Sequence, residues 1–496
     1  MLFNSVEFLI FFPIAALVYF VIPHAIRYLW LLVCSYYFYM CWNPAYALLL
    51  LFSTAITYGC ALVLDHVKDE DEQRCMRKKK ICIALSFMAN LGVLGYFKYS
   101  NFFIDNINAL LAQIHVVYQA PAVDVLLPVG ISFYTFQALG YTMDVYRKEI
   151  PAERNFFKYA LFVSFFPQLV AGPIERSRNL LRQFDEKHTL QFENLRSGFM
   201  LMVWGYFLKL VLSDRIAIFV DAVYGDPATY TGWYLIIASI LFAFQIYCDF
   251  AGYSTIAKGA AKIMGFELMD NFDAPYFSRS VAEFWRRWHI SLSGWFRDYL
   301  YIPLGGSRRG RMRKYLNLMI VFFVSGLWHG AQWAFVAWGL INGLYQILGE
   351  LLMPLRDRAV RFLKMDREAF SHKLLKTLAT FVLIDISWVF FRAKDITVAL
   401  DMLRSMLFAS NIHILFNDSL FDLGLDWKNF LVMIGSIAVL MAADFFKYRN
   451  ICVHKLICRQ ELWFRWALMI GAVVFVVVFG IWGSGFSEAA FIYFQF

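Results

Sequence analysis

The residue best suited to chemistry is His329, because it lies in a long apolar stretch that carries no formal charge. The stretch reads FFVSGLWHGAQWAFVAWGL and covers Phe322–Leu340. An imidazole titrates near neutral pH and therefore suits general-base catalysis. A polar ring in such surroundings usually faces a cavity or pairs with another group inside the protein. Position alone leaves two interpretations open, a catalytic base and a histidine that hydrogen-bonds between helices.

Small and polar residues surround His329 in the sequence. Ser325 and Gln332 fall near the same face of a helix that continues through His329. Gly326 and Gly330 have GxxxG spacing, which favours close packing between membrane helices. The missing side chains would also leave room for a substrate beside the imidazole, and the two roles are compatible.

His289 is the second candidate, within Val281–Gly306. At about 100° per residue, the large apolar side chains of this segment gather in one arc and most charged ones fall outside it. The pattern predicts one amphipathic helix that lies in the membrane interface or lines an opening to the cytoplasm. His289 lies at the edge of the arc, near Trp285 and Phe296, where we expect water on one side. A plain interfacial histidine remains an alternative.

Basic residues bracket the same segment. Together with the turn Gly305-Gly306-Ser307, they would suit a phosphorylated ligand bound by guanidinium groups and backbone amides. A coenzyme A or phosphopantetheine headgroup would fit such a site. The positive charge of cytoplasmic loops explains the same residues without a ligand. The arginines are Arg286, Arg287, Arg308, Arg309, Arg311 and Arg313.

Three carboxylates also lie within apolar runs, namely Asp144, Asp249 and Asp385. Each can pair with a basic residue for structural reasons, and Asp249 can instead orient a histidine. Walker A, H-E-x-x-H and G-x-S-x-G patterns do not occur. The eight cysteines form no C-x-x-C pair, so we expect free thiols and no metal site.

The elements that must position these residues are membrane helices. The chain is 60% hydrophobic and 17% charged, whereas soluble domains have about 25% charged residues. Its apolar runs are continuous, unlike the alternating strands of membrane barrels. We predict an all-α integral membrane protein with roughly 11 transmembrane helices and additional interfacial or re-entrant helices. A single domain covers residues 1–496, and its motif-rich core covers about 127–343.

The net charge of +9 and the pI near 9.0 fit cytoplasmic loops rich in Lys and Arg. The basic residues are dispersed over the chain, which argues against a nucleic-acid-binding module. Met1–Val21 lacks a basic start and an A-x-A site, so we interpret it as a first membrane helix or a surface anchor and not as a signal peptide.

Several long segments resemble the membrane-bound O-acyltransferase (MBOAT) family. The resemblance is closest to the bacterial AlgI-like branch, which is related to DltB. The segments occur in the family's order and cover nearly the full chain, except that Asp385 stands where the AlgI-like pattern has Asn. They are LPVGISFYTFQALGYTMDVYR (Leu127–Arg147), FFPQLVAGPIERS (Phe165–Ser177), QIYCDFAGYSTIAKGAAKIMGFEL (Gln245–Leu268), NFDAPYFSRSVAEFWRRWHISLSGWFRDYLYIPLGGS (Asn271–Ser307), FVSGLWHGAQWAFVAWGLING (Phe323–Gly343), SWVFFRA (Ser387–Ala393) and FIYFQF (Phe491–Phe496).

The resemblance implies transmembrane helices packed around a central funnel. It also implies that His329, in the WHG motif, is catalytic, and that His289, in the WHISLS motif, is a helper or a donor-site residue. The implied acyl donor is cytoplasmic acetyl-CoA, or a phosphopantetheine thioester, without a metal. We expect its contacts among Trp285, Arg286, Arg287, Arg308 and Arg309.

The function implied is O-acetylation of an extracellular or cell-wall polysaccharide, alginate-like in type, from the inner (cytoplasmic) membrane of a bacterium. The acetyl group would pass to a separate extracytoplasmic acetyltransferase partner that modifies the polymer. One alternative is D-alanyl transfer from a carrier protein to teichoic acid, as in DltB-like relatives. Another is a carrier or scaffold that performs no chemistry itself.

Overall fold

The computed structural model describes residues 1–67, 71–116, 118–124, 127–170 and 172–482, so the FIYFQF motif at Phe491–Phe496 lies outside the described residues. Every regular element within these ranges is a helix, which confirms the prediction of an all-α protein. The chain forms two compact units. The first comprises Met1–Met202 and Ser254–Met269, and the second comprises Val203–Tyr253 and Asp270–Phe496. A single domain over residues 1–496 stays a prediction.

The first unit is built from the N-terminal helices and the end of a long central helix. Short 3₁₀ and π-helical turns at His24–Ile26 and Gly95–Tyr99 interrupt it. The α-helices are α1 (Val6–Val21), α2 (Arg27–Met40), α3 (Tyr46–His66), α4 (Glu72–Leu94), α5 (Ser100–Gln113), α6 (Ile131–Tyr146), α7 (Phe156–Ser164), α8 (Phe166–Leu169), α9 (Ser177–Gln183) and α10 (Phe192–Tyr206).

The second unit carries both candidate histidines. It contains π-helical turns at Phe207–Ser213 and Arg297–Tyr301, and 3₁₀ turns at Pro275–Phe277, Ile412–Phe416 and Asp418–Leu423. The α-helices are α11 (Asp214–Gly225), α12 (Trp233–Ile263, shared with the first unit), α13 (Val281–Arg287), α14 (Ile290–Phe296), α15 (Arg311–His329), α16 (Trp333–Leu351), α17 (Met353–Phe362), α18 (Phe370–Arg392), α19 (Ile396–Leu407), α20 (Trp427–Tyr448), α21 (Val453–Cys458) and α22 (Leu462–Phe479).

Several helices in the described ranges can cross a membrane by their length and composition. Six qualify singly, and the pair α16–α17, bent by 51°, makes a seventh if it counts as one span. The estimate of roughly 11 crossings is larger and stays a prediction. The six are Tyr46–His66, Glu72–Gln113, Trp233–Ile263, Phe370–Arg392, Trp427–Tyr448 and Leu462–Phe479.

The hairpin of α15 and α16 places His329 at the last residue of a helix. Gly330 is extended and Gln332 is the extended cap of α16, so the prediction of one helix with Gln332 on the face of His329 is wrong. Ser325 does lie one turn before His329 on α15, as predicted.

Glycines allow the two arms of this hairpin to approach closely. A Cβ atom on Gly326 would meet the backbone carbonyl of Phe335, and one on Gly339 would meet that of Phe322. A Cβ on Gly330 would meet the ring of Phe335. Packing therefore explains Gly326 and Gly330, and the idea that they leave room for a substrate is wrong because Phe335 fills that space.

The segment that carries His289 is not the single amphipathic helix that its periodicity predicts. Ser280 caps α13 by accepting a hydrogen bond from the Glu283 N–H at 3.1 Å, and the helix ends at Arg287. Trp288 is then extended and His289 is left-handed, with φ 42° and ψ 56°, before α14 begins.

Hydrogen bonds from outside the segment hold this break. The Asp273 N–H donates to the Arg287 carbonyl at 3.0 Å, and the Ile290 N–H donates to the Asn271 carbonyl at 3.0 Å. In a continuous helix, the Arg287 carbonyl and the Ile290 N–H would both bond within the helix. Here Asp273 and Asn271 satisfy these two groups instead, one on each side of His289. The periodicity of Val281–Gly306 cannot predict this break, because the hydrogen bonds that hold it come from residues outside the segment.

Candidate active site

His289 and His329 line the same cavity in the second unit, which has a volume of about 290 Å³. His289 is 1% exposed and His329 is 5% exposed. Arg297 also lines the cavity, and its side chain is 66% exposed. The cavity therefore connects the protein surface with two buried imidazoles. A cavity of this volume is suited to a small-molecule group more than to a folded macromolecule.

Aromatic rings surround His329. The rings of Trp328, Trp338 and Phe391 lie edge-on to the imidazole, with centroid distances of 4.8, 4.9 and 5.3 Å. Such edge-to-face contacts fix the plane of the ring without adding charge. Ser325 lines the cavity beside His329. The arrangement can hold a base in a fixed orientation and keep bulk water away from it.

His289 is packed against the ring of Phe250, at a centroid distance of 4.5 Å. Its Nδ1 atom lies 3.5 Å from the Ser291 hydroxyl oxygen. Burial lowers the pKa of His289 to about 3, so the ring is neutral at pH 7. The prediction that His289 lies at the interfacial edge of one continuous helix is wrong, because the helix break turns the residue inward to the cavity wall.

Two of the predicted donor contacts have defined partners. Trp285 lines the cavity, and its Nε1 donates to Asn342 Oδ1 at 3.2 Å. Arg287 forms ion pairs with Asp273 at 2.7 Å and with Glu283 at 3.1 Å. A phosphate would therefore compete with two carboxylates for Arg287.

The other three predicted contacts, Arg286, Arg308 and Arg309, are exposed. None of them is among the residues that line this cavity. The turn near Arg308 is well defined, since Asn317 Nδ2 donates to the Gly306 carbonyl at 2.9 Å. The roles of all five residues in donor binding stay predictions.

Sequence reasoning missed several polar residues of the cavity wall, among them Arg297 and Tyr301. Both belong to the π-helical turn that follows α14. Arg297 pairs with the neighbouring Asp298 at 2.7 Å. The 100° periodicity put Arg297 on the polar face of one continuous helix. Because the helix breaks at His289, that face does not continue, and Arg297 lines the cavity.

Lys209 was also missed. Its Nζ lies 2.7 Å from Asp249 and 2.8 Å from Asp214, and all three side chains are buried. Asp249 thus pairs with a basic residue, which is the structural role considered above. This ion pair does not support the alternative that Asp249 orients a histidine. A lone lysine in the apolar run Phe199–Leu212 was the available signal.

The other two intramembrane-type carboxylates accept hydrogen bonds from serines. Asp144 accepts from the Ser177 hydroxyl at 2.7 Å, and Asp385 accepts from the Ser239 hydroxyl at 2.9 Å. Each bond joins two helices of one unit, which is a structural role.

Comparisons with known proteins give matches that cover most of the chain. The model of the MBOAT, membrane-bound O-acyltransferase family matches residues 145–386, which include both histidines. The chain is 38% identical to the probable alginate O-acetylase AlgI of Azotobacter vinelandii over 414 residues, 82% of this chain and 78% of the relative. It is 34% identical to the peptidoglycan O-acetyltransferase of Helicobacter pylori over 439 residues, 82% and 80% of the two chains.

A more distant match is the teichoic acid D-alanyltransferase of Streptococcus thermophilus, which is 28% identical over 280 residues, 53% of this chain and 67% of the relative. The fold and the matches together define a class, the multi-pass membrane O-acyltransferases. The chain belongs to the membrane-bound O-acyltransferase family.

Proposed function

We propose that the protein transfers an acetyl group from cytoplasmic acetyl-CoA across the membrane for O-acetylation of an extracellular or cell-wall polysaccharide. The observation that carries the proposal is the cavity that joins His329 and His289 to the surface at Arg297. Two relatives that match over 82% of this chain are named O-acetylase and O-acetyltransferase. The D-alanyltransferase matches only 53% of it, so we favour acetyl over D-alanyl as the transferred group.

His329 acts as the general base in this proposal. Its imidazole takes the proton of an acceptor hydroxyl as the hydroxyl oxygen attacks the thioester carbonyl. The carbon–sulfur bond breaks, the acetyl ester forms, and the departing thiolate takes up a proton, leaving free CoA. General-base assistance of this kind contributes about 10²–10⁴-fold to the rate.

The aromatic wall has a role in the same reaction. The rings of Trp328, Trp338 and Phe391 keep His329 in one orientation and reduce the access of water. Water in the site would hydrolyse the thioester, whereas a site that excludes water preserves the thioester until the acceptor hydroxyl binds.

The charged outer part of the segment suits the phosphates of the donor. Arg286, Arg308 and Arg309 are exposed, and Arg297 stands on the cavity wall. Guanidinium groups bind phosphates in a bidentate manner. We rank Arg286, Arg308 and Arg309 above Arg287, because phosphate binding at Arg287 would displace the Asp273 and Glu283 carboxylates.

The proposal includes the setting of the enzyme. It places the chain in the bacterial inner membrane, with roughly 11 crossings around a central funnel and the donor on the cytoplasmic side. A separate extracytoplasmic acetyltransferase then delivers the acetyl group to the polymer. The multi-pass helical chain and the family support this arrangement.

The decisive experiment measures ester-linked acetate on the surface polysaccharide of cells that carry wild-type protein, His329→Ala or His372→Ala, with membrane levels matched by blot. His372 is a buried histidine on α18 that does not line the cavity, so it is a matched control. We expect acetate to be lost with His329→Ala and kept with His372→Ala. Acetate retained with His329→Ala would refute the base and favour a carrier that performs no chemistry.

A second measurement separates the donors. Purified protein in lipid nanodiscs, supplied with the partner acetyltransferase and de-esterified cell polysaccharide as acceptors, is given acetyl-CoA or a D-alanyl carrier protein, and free thiol is measured. Release of CoA thiol from acetyl-CoA supports the proposal. Thiol release that requires the carrier protein and ignores acetyl-CoA would select D-alanyl transfer instead.

A further inference from the structure

A chain of hydrogen bonds leads from His289 away from the cavity. The Ser291 hydroxyl lies 3.5 Å from His289 Nδ1 and donates to Asn271 Oδ1 at 2.6 Å. Ser291 and Asn271 are both buried, and neither is among the residues that line the cavity. The two residues therefore contact the imidazole from outside the cavity wall.

The direction of each hydrogen bond follows from the donors present. The Ser291 N–H, which can only donate, points to the same Asn271 Oδ1 atom at 3.3 Å, so this atom must be the amide oxygen. The oxygen can only accept, and the single hydroxyl proton of Ser291 is therefore used on Asn271. Toward His289 the Ser291 oxygen can only accept, which requires the proton of the neutral ring on Nδ1.

Asn271 also fixes the backbone at His289. Its carbonyl oxygen accepts from the Ile290 N–H at 3.0 Å, while its side chain accepts from the Ser291 N–H. These two N–H groups open α14, where an ordinary cap residue would satisfy them with its own side chain. The left-handed backbone of His289 makes it a poor cap, and Asn271 replaces that function.

We infer that Asn271 and Ser291 are positioning residues that hold His289 as the Nδ1–H tautomer, so that Nε2 offers a lone pair to a hydrogen-bond donor of the substrate. The inference rests on the proposed function for the identity of that substrate. Two groups carry a suitable proton, an amide N–H of the pantetheine arm of the donor and a hydroxyl of the acceptor. Both make the ring an acceptor and not a donor of the hydrogen bond.

The ring environment supports this assignment. Burial lowers the pKa of His289 to about 3, so one ring nitrogen keeps a lone pair at neutral pH. The contact of 3.5 Å is long for a hydrogen bond, and such contacts tighten when a substrate occupies the site.

The tautomer is tested directly by ¹⁵N solid-state NMR on the full chain, with labelled histidine, in lipid nanodiscs at pH 7. The difference between wild type and His289→Gln assigns the His289 signals. We expect a protonated Nδ1 and an unprotonated Nε2, and we expect Ser291→Ala to alter that pattern. A protonated Nε2 or an imidazolium in the wild type would overturn the inference, whether or not the protein transfers acetyl groups.

The role in substrate binding is tested by kinetics. CoA thiol release is followed in membranes of cells that carry each variant together with the partner acetyltransferase, with acetyl-CoA and with cell polysaccharide from which mild base has removed the esters. We expect Ser291→Ala to weaken activity by about tenfold, the loss of one hydrogen bond, and Ser291→Thr, which keeps the hydroxyl, to recover most of it. Ser436→Ala, which removes a buried hydroxyl on α20, is the matched control.

The kinetic constant that changes identifies the bonded group. A rise in KM for acetyl-CoA assigns the pantetheine amide, and an unchanged KM for acetyl-CoA with a rise in KM for the acceptor, partner or polysaccharide, assigns the acceptor hydroxyl. Equal loss in Ser291→Ala, Ser291→Thr and Ser436→Ala would reduce Ser291 to a packing residue and refute the positioning role. If the wild type releases no thiol, the proposed function fails, while the NMR result still decides the tautomer.

Discussion

The two segments that carry the histidines reach the same cavity by opposite means. The α15–α16 hairpin is regular, and His329 is the last residue of a helix whose glycines press against the facing backbone. The α13–α14 segment is broken, and His289 occupies a left-handed position between two short helices. Rings pack around His329, whereas the backbone N–H groups that follow His289 donate hydrogen bonds to Asn271.

The two imidazoles are held by different kinds of contact, ring packing at His329 and a hydrogen-bonded neighbour at His289. A ring packed between aromatic groups has a fixed orientation, which suits a base that must meet the acceptor hydroxyl in one geometry. A ring that is hydrogen-bonded from outside the cavity wall has a fixed tautomer, which suits a constant acceptor for a substrate group. We therefore expect the two histidines to fail differently when they are changed.

The largest effect distinguishes the two imidazoles by chemistry. His329→Gln removes the base, and we expect thiol release from acetyl-CoA to fall about 10²–10⁴-fold. His289→Gln keeps an amide oxygen that can accept a hydrogen bond, and we expect a loss of about tenfold. Similar losses in the two variants, at equal protein levels, would contradict the separate roles.

The next effect tests the packing of the hairpin. Gly326→Ala places a methyl group against the Phe335 carbonyl and forces α15 and α16 apart, which we expect to cost about 1–3 kcal/mol of unfolding free energy. The matched control is Gly349→Ala on α16, where no atom lies within 4 Å of the added Cβ. The midpoint of thermal unfolding in nanodiscs measures both, and a stable Gly326→Ala protein would show that close packing is unnecessary.

A smaller effect depends on pH and concerns His289. Burial lowers its pKa from 6.5 to about 3, so between these values the unfolded chain binds a proton that the folded chain does not. Stability therefore falls as the pH drops below 6.5. At about 1.4 kcal/mol per pH unit, wild type should lose roughly 2 kcal/mol more than His289→Gln between pH 6.5 and pH 5. Unfolding midpoints at the two pH values check this. Equal losses of stability in wild type and His289→Gln would show that burial does not lower the pKa of His289.

The smallest effect isolates the backbone. His289→Gly and His289→Ala both delete the ring, but only glycine accepts φ 42° without strain, so we expect the glycine variant to be more stable by about 1 kcal/mol. The order should reverse at His329, because glycine in a helix is less stable than alanine by about 1 kcal/mol. Thermal midpoints of the four variants decide this, and the same order at both sites would mean that the His289 backbone is not strained.

Sequence reasoning located the site but not its shape. It selected His329, His289 and Ser325, which the structure brings to one cavity. It treated Val281–Gly306 and Phe322–Leu340 as continuous helices, because periodicity records the faces of a helix and not its interruptions. Lys209 was overlooked because its two carboxylate partners lie outside its own apolar run.

The sequence by itself determined the class of this protein. Continuous apolar runs require helices in a membrane, and a histidine in an uncharged run already indicates a site, because each property depends on the order of residues alone. The tertiary structure decided where the helices break and which groups meet. Asn271 satisfies the N–H groups after His289, Phe335 fills the space beside Gly326, and Lys209 pairs with Asp249. Each of these contacts joins residues that are distant in the chain, and their energies exist only once the segments are packed together.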